Sequence, residues 1–355
     1  MPLPRRPLSS TFADWRRIVP TLVIATIAGW LAQAATLPLP WMIGPLFAVA
    51  GLRMADLPLR PLPGGRQAGQ WAIGTALGLY FSPAVLAELT EHTVLVTTVA
   101  FAALAIGFVC AMFTRRFAGV DTPTAFFASL PGGASEMATL ADRFGGAVDR
   151  IAAAHALRVM MVVSVVPIAL SVSGVHGTGQ YTPLMREVDM ARLPLLAAAG
   201  LAGVALFRVL RLANGWVLGA LLGVALATGS GIELSALPAW IVNGGQLLIG
   251  CSLGCRFSRE FFRAAPRFMA VAALSAALSI VLCFALAALF GALTEVPLAT
   301  LALAAAPGGV AEMCITAKVL QLGVPLITVC HVLRVVVLTL AAQWSFALFR
   351  RLVAA

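Results

Sequence analysis

The sequence predicts an all-α polytopic membrane protein made of two inverted-topology repeats. Each repeat has about five transmembrane helices plus one Pro-Gly-Gly-broken or re-entrant segment. Three observations lead there. First, of the 355 residues, 61% are hydrophobic and 11% charged, about half the charged share of a soluble domain. The apolar residues fall in runs of roughly twenty, the length that spans a bilayer. Second, Pro131-Gly132-Gly133-Ala134-Ser135-Glu136-Met137 returns as Pro307-Gly308-Gly309-Val310-Ala311-Glu312-Met313, 176 positions on. Third, nearly all the arginines fall on one side of the membrane only if the second half is inverted.

In chain order, a Pro- and Arg-rich start (Arg5, Arg6, Arg16, Arg17) leads into an apolar run, Ile18 to Ala35. Basic flank, apolar core and Ala32-Gln33-Ala34 imitate a signal peptide. A comparable segment at 193–210 in the second half makes it an uncleaved first span instead. Helices follow at 39–54 and 67–81, with a basic loop between them (Arg53, Arg60, Arg66). An acidic loop with Glu88, Glu91 and His92 comes next, then a helix at 94–114, the broken segment at 122–142 and a helix at 151–172.

The second half repeats this order. Trp41-Met42-Ile43-Gly44 returns as Trp216-Val217-Leu218-Gly219, and Gly69-Gln70 as Gly245-Gln246. The repeats are therefore 18–172 and 193–349, joined by a linker at 173–192. Such a period is too long for a solenoid.

Set aside Arg158, Lys318 and Arg334, which lie in or beside apolar segments. If each broken segment enters and leaves on one side, 19 of the remaining 21 arginines lie inside, with Arg186 and Arg192 outside. If it spans fully, the halves are parallel and the division becomes 13 to 8. The inverted arrangement puts both termini in the cytoplasm and Glu88, Glu91, Glu233 and Glu295 outside. An integral protein of a bacterial inner membrane, in contact with the lipid bilayer, is expected.

The net charge of +10 is explained by this flank bias, and no basic stretch is interleaved with aromatics for nucleic acid. The six cysteines lie in apolar segments and read as small hydrophobic residues. No metal and no cofactor is expected.

The repeated motif has a physical meaning. Pro-Gly-Gly ends one half-helix and leaves the next with unpaired N–H groups and a positive dipole end, which attracts anions. Gly132, Gly133, Gly308 and Gly309 leave the backbone open to close approach. Glu136 and Glu312 sit about one turn into their half-helices. They either cap those helices or carry a coupling proton or cation, because membrane acids are costly and mark pathways. His155 with Arg158, and His331 with Arg334, each share a helix face. The nearest partners for the arginines in sequence are Glu136 and Glu312. Both a structural Glu–Arg pair and a proton relay through His stay open. Gln70 and Gln246 line the same cavity or bond between helices. Asp142 and Lys318, the lone lysine, stand at matching positions with opposite charge.

The two Pro-Gly-Gly-x-x-Glu-Met segments, each followed by His-x-Leu-Arg, resemble the AbrB-type membrane protein family over about 20–350. The resemblance implies a duplicated membrane domain. The family's labels, regulator and ammonia monooxygenase, name no substrate and carry over no catalytic residue.

Secondary transport is the expected function. The chain would move a small anionic or zwitterionic metabolite, coupled to a proton or ion, by alternating access around broken helices. It is not expected to be an enzyme. The alternatives are a membrane regulator or sensor working through a partner, which has no soluble signalling domain in this sequence, and a metal-dependent monooxygenase. The latter would have to draw ligands from His155, His331 and the two Glu. Homo-oligomer assembly is compatible with the sequence.

Overall fold

The structure, a computed structural model, describes residues 8–175, 177, 187–257 and 259–354. Most of the expected linker, with His176 and Arg186, lies outside the described residues. The described chain is helical. The first half contains α1 (Leu8–Ala34), α2 (Pro40–Met54), α3 (Gly65–Gly78), α4 (Pro83–Glu91) and α5 (Thr93–Ala118). It continues with α6 (Thr122–Ser129), α7 (Ala134–Arg143) and α8 (Val148–Val172). The second half contains α9 (Leu193–Val209), a π-helical turn (Gly215–Gly219) running into α10 (Ala220–Gly229), α11 (Ala239–Gly254) and α12 (Arg259–Ala264). It ends with α13 (Pro266–Leu293), α14 (Leu298–Ala305), α15 (Val310–Val319) and α16 (Val324–Ala354).

Five helices, α1, α5, α8, α13 and α16, are long and apolar enough to cross a membrane, which places the chain among integral membrane proteins. On α1, Val23, Ile27, Trp30 and Leu31 are exposed, as lipid-facing residues are. The sequence led us to expect about twice as many full spans. The other apolar helices are shorter: α2 has 15 residues, α11 16 and α9 17. At about 1.5 Å per residue they fall short of the roughly 30 Å hydrocarbon core.

The acidic loop expected at Glu88–His92 is instead a helix. Ser82 caps α4, accepting from the Val85 N–H at 3.3 Å, and Pro83 takes the first turn, where no N–H is needed. The chain bends by 86° between α3 and α4.

Both expected broken segments are broken. Asp121 caps α6 through the Thr124 N–H at 2.8 Å. Leu130, before Pro131, turns extended with ψ 131°, and Ala306, before Pro307, does so with ψ 135°. Proline disfavours the helical region for its predecessor and offers no donor, and with two glycines following it α6 and α14 end there.

Where α3 and α11 cross, small residues allow backbone approach: a Cβ on Gly69 would stand 2.4 Å from the Gly245 carbonyl oxygen. Behind α6, six phenylalanines pack ring to ring: Phe108, Phe126, Phe127, Phe144, Phe346 and Phe349, with centroids as close as 4.8 Å for Phe144 and Phe346. Beside α14 lies instead a cavity of about 890 Å³, lined by Glu88, His92, Leu170, Phe284, Glu295 and Ala302 among others.

Candidate functional site

The two breaks face one cavity of about 100 Å³. Eight of the ten residues singled out from the sequence line it: Gly132, Gly133, His155, Arg158, Gly308, Gly309, Glu312 and Arg334. Glu136 and His331 are not among the lining residues.

The motif glycines work through space. Gly133 has φ −68° and Gly309 φ −75°, values open to any residue. A Cβ on Gly133 would stand 1.9 Å from Oε2 of Glu136, and one on Gly309 1.9 Å from Oε2 of Glu312. Each carboxylate thus folds back over the residue that caps its own half-helix, where the positive dipole end favours it. The preceding glycines receive the next side chain: a Cβ on Gly132 would lie 3.0 Å from Met137 Cε, and one on Gly308 2.8 Å from Met313 Cγ. Gly-Gly-x-x-Glu-Met is therefore one packed unit, with methionine laid against the residue before the cap. The sequence reading assigned the glycines to ligand approach; the nearest occupant of that space is the chain's own glutamate.

Arg158 and Arg334 correct a second expectation. Among the described residues, the ion pairs are Arg60–Asp14, Arg192 with Asp189 and Glu233, and Arg259–Asp56, none of which involves Arg158 or Arg334. The buried guanidiniums close the C-terminal ends of the first half-helices instead. Arg158 Nη1 donates to the Leu130 carbonyl at 2.9 Å. Arg334 Nη1 donates to the Ala306 carbonyl, and its Nη2 to Gly308 O at 2.6 Å. Carbonyls freed by a break need donors, and the negative dipole end favours a cation, so backbone takes the place of Glu. The sequence distance between Arg and Glu hid this, because the same break supplies both a carbonyl end and an amide end.

His155 and His331 serve the same half-helices. Nε2 of His155 lies 2.9 Å from the Phe127 carbonyl, and Nε2 of His331 2.9 Å from that of Leu303. Each Nε2 therefore carries the proton. Arg158 Nη2 donates to Nδ1 of His155 at 3.0 Å, whereas Nδ1 of His331 is buried without a partner among the described residues. Nε of both arginines is likewise buried without one.

Four polar lining residues were not put forward as site residues from the sequence: Arg66, Asn214, Ser252 and Arg256. Arg66 lies one turn before Gln70, which also lines the cavity, and Ser252 one turn before Arg256. For Arg66 the i, i+4 spacing from a flagged glutamine was the available signal, but it was read as part of a basic loop; Ser252, Arg256 and Asn214 carried no such signal. Gln246 is buried, and its Oε1 has no partner. Asp142 is exposed and Lys318 half-buried, and among the described residues no ion pair joins them.

Chemically, the cavity is rich in donors. Four arginines (Arg66, Arg158, Arg256, Arg334), two amides and the first turns of α7 and α15 surround it, against one lining carboxylate, Glu312.

The chain is similar to two curated proteins along most of their lengths. One is "Uncharacterized protein YhjN" of Bacillus subtilis (strain 168), 26% identical over 345 residues, covering 89% of this chain and 88% of the relative. The other is "Putative regulator AbrB" of Escherichia coli (strain K12), 23% identical over 288 residues, covering 80% and 82%. The family model described as "Transition state regulatory protein AbrB" matches residues 41–350, which contain both broken segments and the cavity between them. This chain belongs to the AbrB family.

Proposed function

We propose that the protein is a secondary transporter of a small anion, working by alternating access around its two broken helices. One observation carries the reading: corresponding residues of the two motifs, Gly132 with Gly308, Gly133 with Gly309 and Arg158 with Arg334, line a single cavity. Broken half-helices meeting at a shared site are what such transporters use to hold charge inside a membrane. A cavity of about 100 Å³ fits an ion or metabolite of a few heavy atoms.

Inverted topology of repeats 18–172 and 193–349 belongs to this proposal. Gly69 and Gly245, 176 apart in sequence, pack on each other, and Gly65 lies beside Leu248. As α3 advances, its contact on α11 recedes, so these corresponding helices run antiparallel. That direction supports a pseudo-two-fold axis in the membrane plane. With the arginine distribution, it supports cytoplasmic termini in a bacterial inner membrane. Coupling to a proton or ion would fall to Glu312, the carboxylate in the cavity.

The test is flux of radiolabelled small anions into proteoliposomes. Saturable uptake that depends on an ion gradient supports transport. Tight anion binding without flux would favour a ligand-sensing regulator, the role in the name of the Escherichia coli relative.

A further inference from the structure

We infer that a small oxyanion binds between Arg66 and Arg256 at the mouth of the cavity, and that the opposite approach to the half-helix ends is sealed by Leu39, Ala76, Tyr80 and Val242. The binding site stands by itself; its use as one of two alternating entrances rests on the transport reading.

The mouth is lined by donors without a direct partner, although the charge of Glu312 acts on Arg256 from within the same cavity. Among the described residues, Arg66 and Arg256 have no salt bridge and no hydrogen-bonded partner. Asn214 occupies a left-handed turn, φ 54°, with Nδ2 3.4 Å from where a Cβ on Gly133 would be. Behind them stand Arg158 and Arg334, 5% and 2% exposed, each with a buried Nε that lacks a partner. Guanidinium forks and backbone N–H groups converging on a small cavity suit a carboxylate, phosphate or sulfate.

The second half of the inference comes from laying one repeat on the other. With the register of 176 (175 around Asn214), Arg66, Ser252, Arg256 and Asn214 correspond to Val242, Ala76, Tyr80 and Leu39. All four are buried in one hydrophobic cluster: Val242 5%, Ala76 3%, Tyr80 6% and Leu39 0% exposed. The turn at Leu39 keeps the left-handed backbone, φ 52°, although leucine adopts it at a cost and asparagine does so readily. One backbone design thus appears twice, lined with cationic and amide donors on one side and, Tyr80's hydroxyl apart, with apolar side chains on the other. A hydrated anion passes the first and is refused by the second.

The experiment uses the full chain in detergent, with its six cysteines replaced. Thermal stabilisation is measured with sulfate, inorganic phosphate, acetate and succinate, for the parent and for Arg66→Gln, Arg256→Gln and Arg66→Lys. At least one anion should stabilise the parent, with affinity falling about tenfold or more in each Gln variant and less in Arg66→Lys. Gln variants that elute as the parent does in size exclusion yet bind equally well would overturn the site, as would stabilisation by none of the four anions.

Sidedness is read from Ser252→Cys and Ala76→Cys with a charged thiol reagent. Ser252→Cys should react and be protected by the anion, and Ala76→Cys should react at least about tenfold more slowly. Equal rates would sink the seal. Binding and protection without flux in proteoliposomes would leave this site standing and remove the transport reading. Flux unchanged by Arg66→Gln and Arg256→Gln would do the reverse.

Discussion

Arg158 donates through Nη2 to Nδ1 of His155 at 3.0 Å, whereas its counterpart Arg334 turns the same nitrogen to the Gly308 carbonyl at 2.6 Å and leaves His331 Nδ1 without a partner. One Arg–His unit is thus held in two settings within a single chain. In both, the primary duty of the guanidinium is the carbonyl end of a broken helix. Arg158→Gln and Arg334→Gln should each destabilise the protein by about 2–3 kcal/mol, the worth of charge-assisted bonds to buried carbonyls. Melting in detergent checks this. The two losses should be similar, since each strands two acceptors: Leu130 O and His155 Nδ1 at Arg158, and the Ala306 and Gly308 carbonyls at Arg334.

Gly133 and Gly309 give way to their own glutamates. Gly133→Ala should destabilise the wild type, because its Cβ would displace the Glu136 carboxylate. In a Glu136→Ala background the same substitution should cost much less. Melting temperatures of the four proteins in this cycle measure the coupling, and additive effects would contradict the packing described.

Glu136 and Glu312 share a motif but not a position relative to the cavity. Glu312→Gln should strongly reduce ion-coupled flux in proteoliposomes, while Glu136→Gln should leave most of it. Equal loss in both would return the first glutamate to the pathway.

Gly69→Ala should weaken the α3–α11 crossing by about 1–3 kcal/mol, the range for overpacking, because the new methyl would meet the Gly245 carbonyl. Gly244→Ala meets nothing within 4 Å and serves as the control. Thermal melting of the two variants should separate them clearly.

Arg143→Cys and Arg263→Cys, in a cysteine-free background, should both be labelled from the cytoplasmic side of intact cells only after permeabilisation. Labelling of Arg263→Cys from outside would contradict the inverted topology.

The breaks at Pro131 and Pro307 were legible because proline and glycine act locally, and the same holds for the helices flanking them. The partners of Arg158 and Arg334 were not. A backbone carbonyl has no letter in a sequence, so glutamate, which does, was assigned the duty. Arg66 was read as part of a basic loop and Arg256 was not singled out, because what brings them to one cavity is the close crossing of α3 and α11 at Gly69 and Gly245, and a tertiary approach is not written in either segment alone. The helix at Pro83–Glu91 was masked by its acidic residues, although Ser82-Pro83 is a good helix start. The short helices were placed well, at 39–54 and 193–210 against Pro40–Met54 and Leu193–Val209, but they were counted as full spans although helices of this length fall short of the hydrocarbon core.

The phenylalanines behind α6 give the two copies different mechanical characters. Phe126 and Phe127 lock the first broken segment against Phe346 and Phe349 of the last helix, while α14 borders open volume. At the places matching Phe126, Phe127 and Phe144 the second copy has Ala302, Leu303 and Leu320, and Phe346 of the second copy is matched in the first by Leu170. Dense aromatic packing resists local rearrangement, and a void alongside a segment invites it. On the transport reading, the first broken segment would be the fixed frame and the second the working part. A molecule that began as two equal halves would move unequally, with its stroke concentrated on the side that lost its rings.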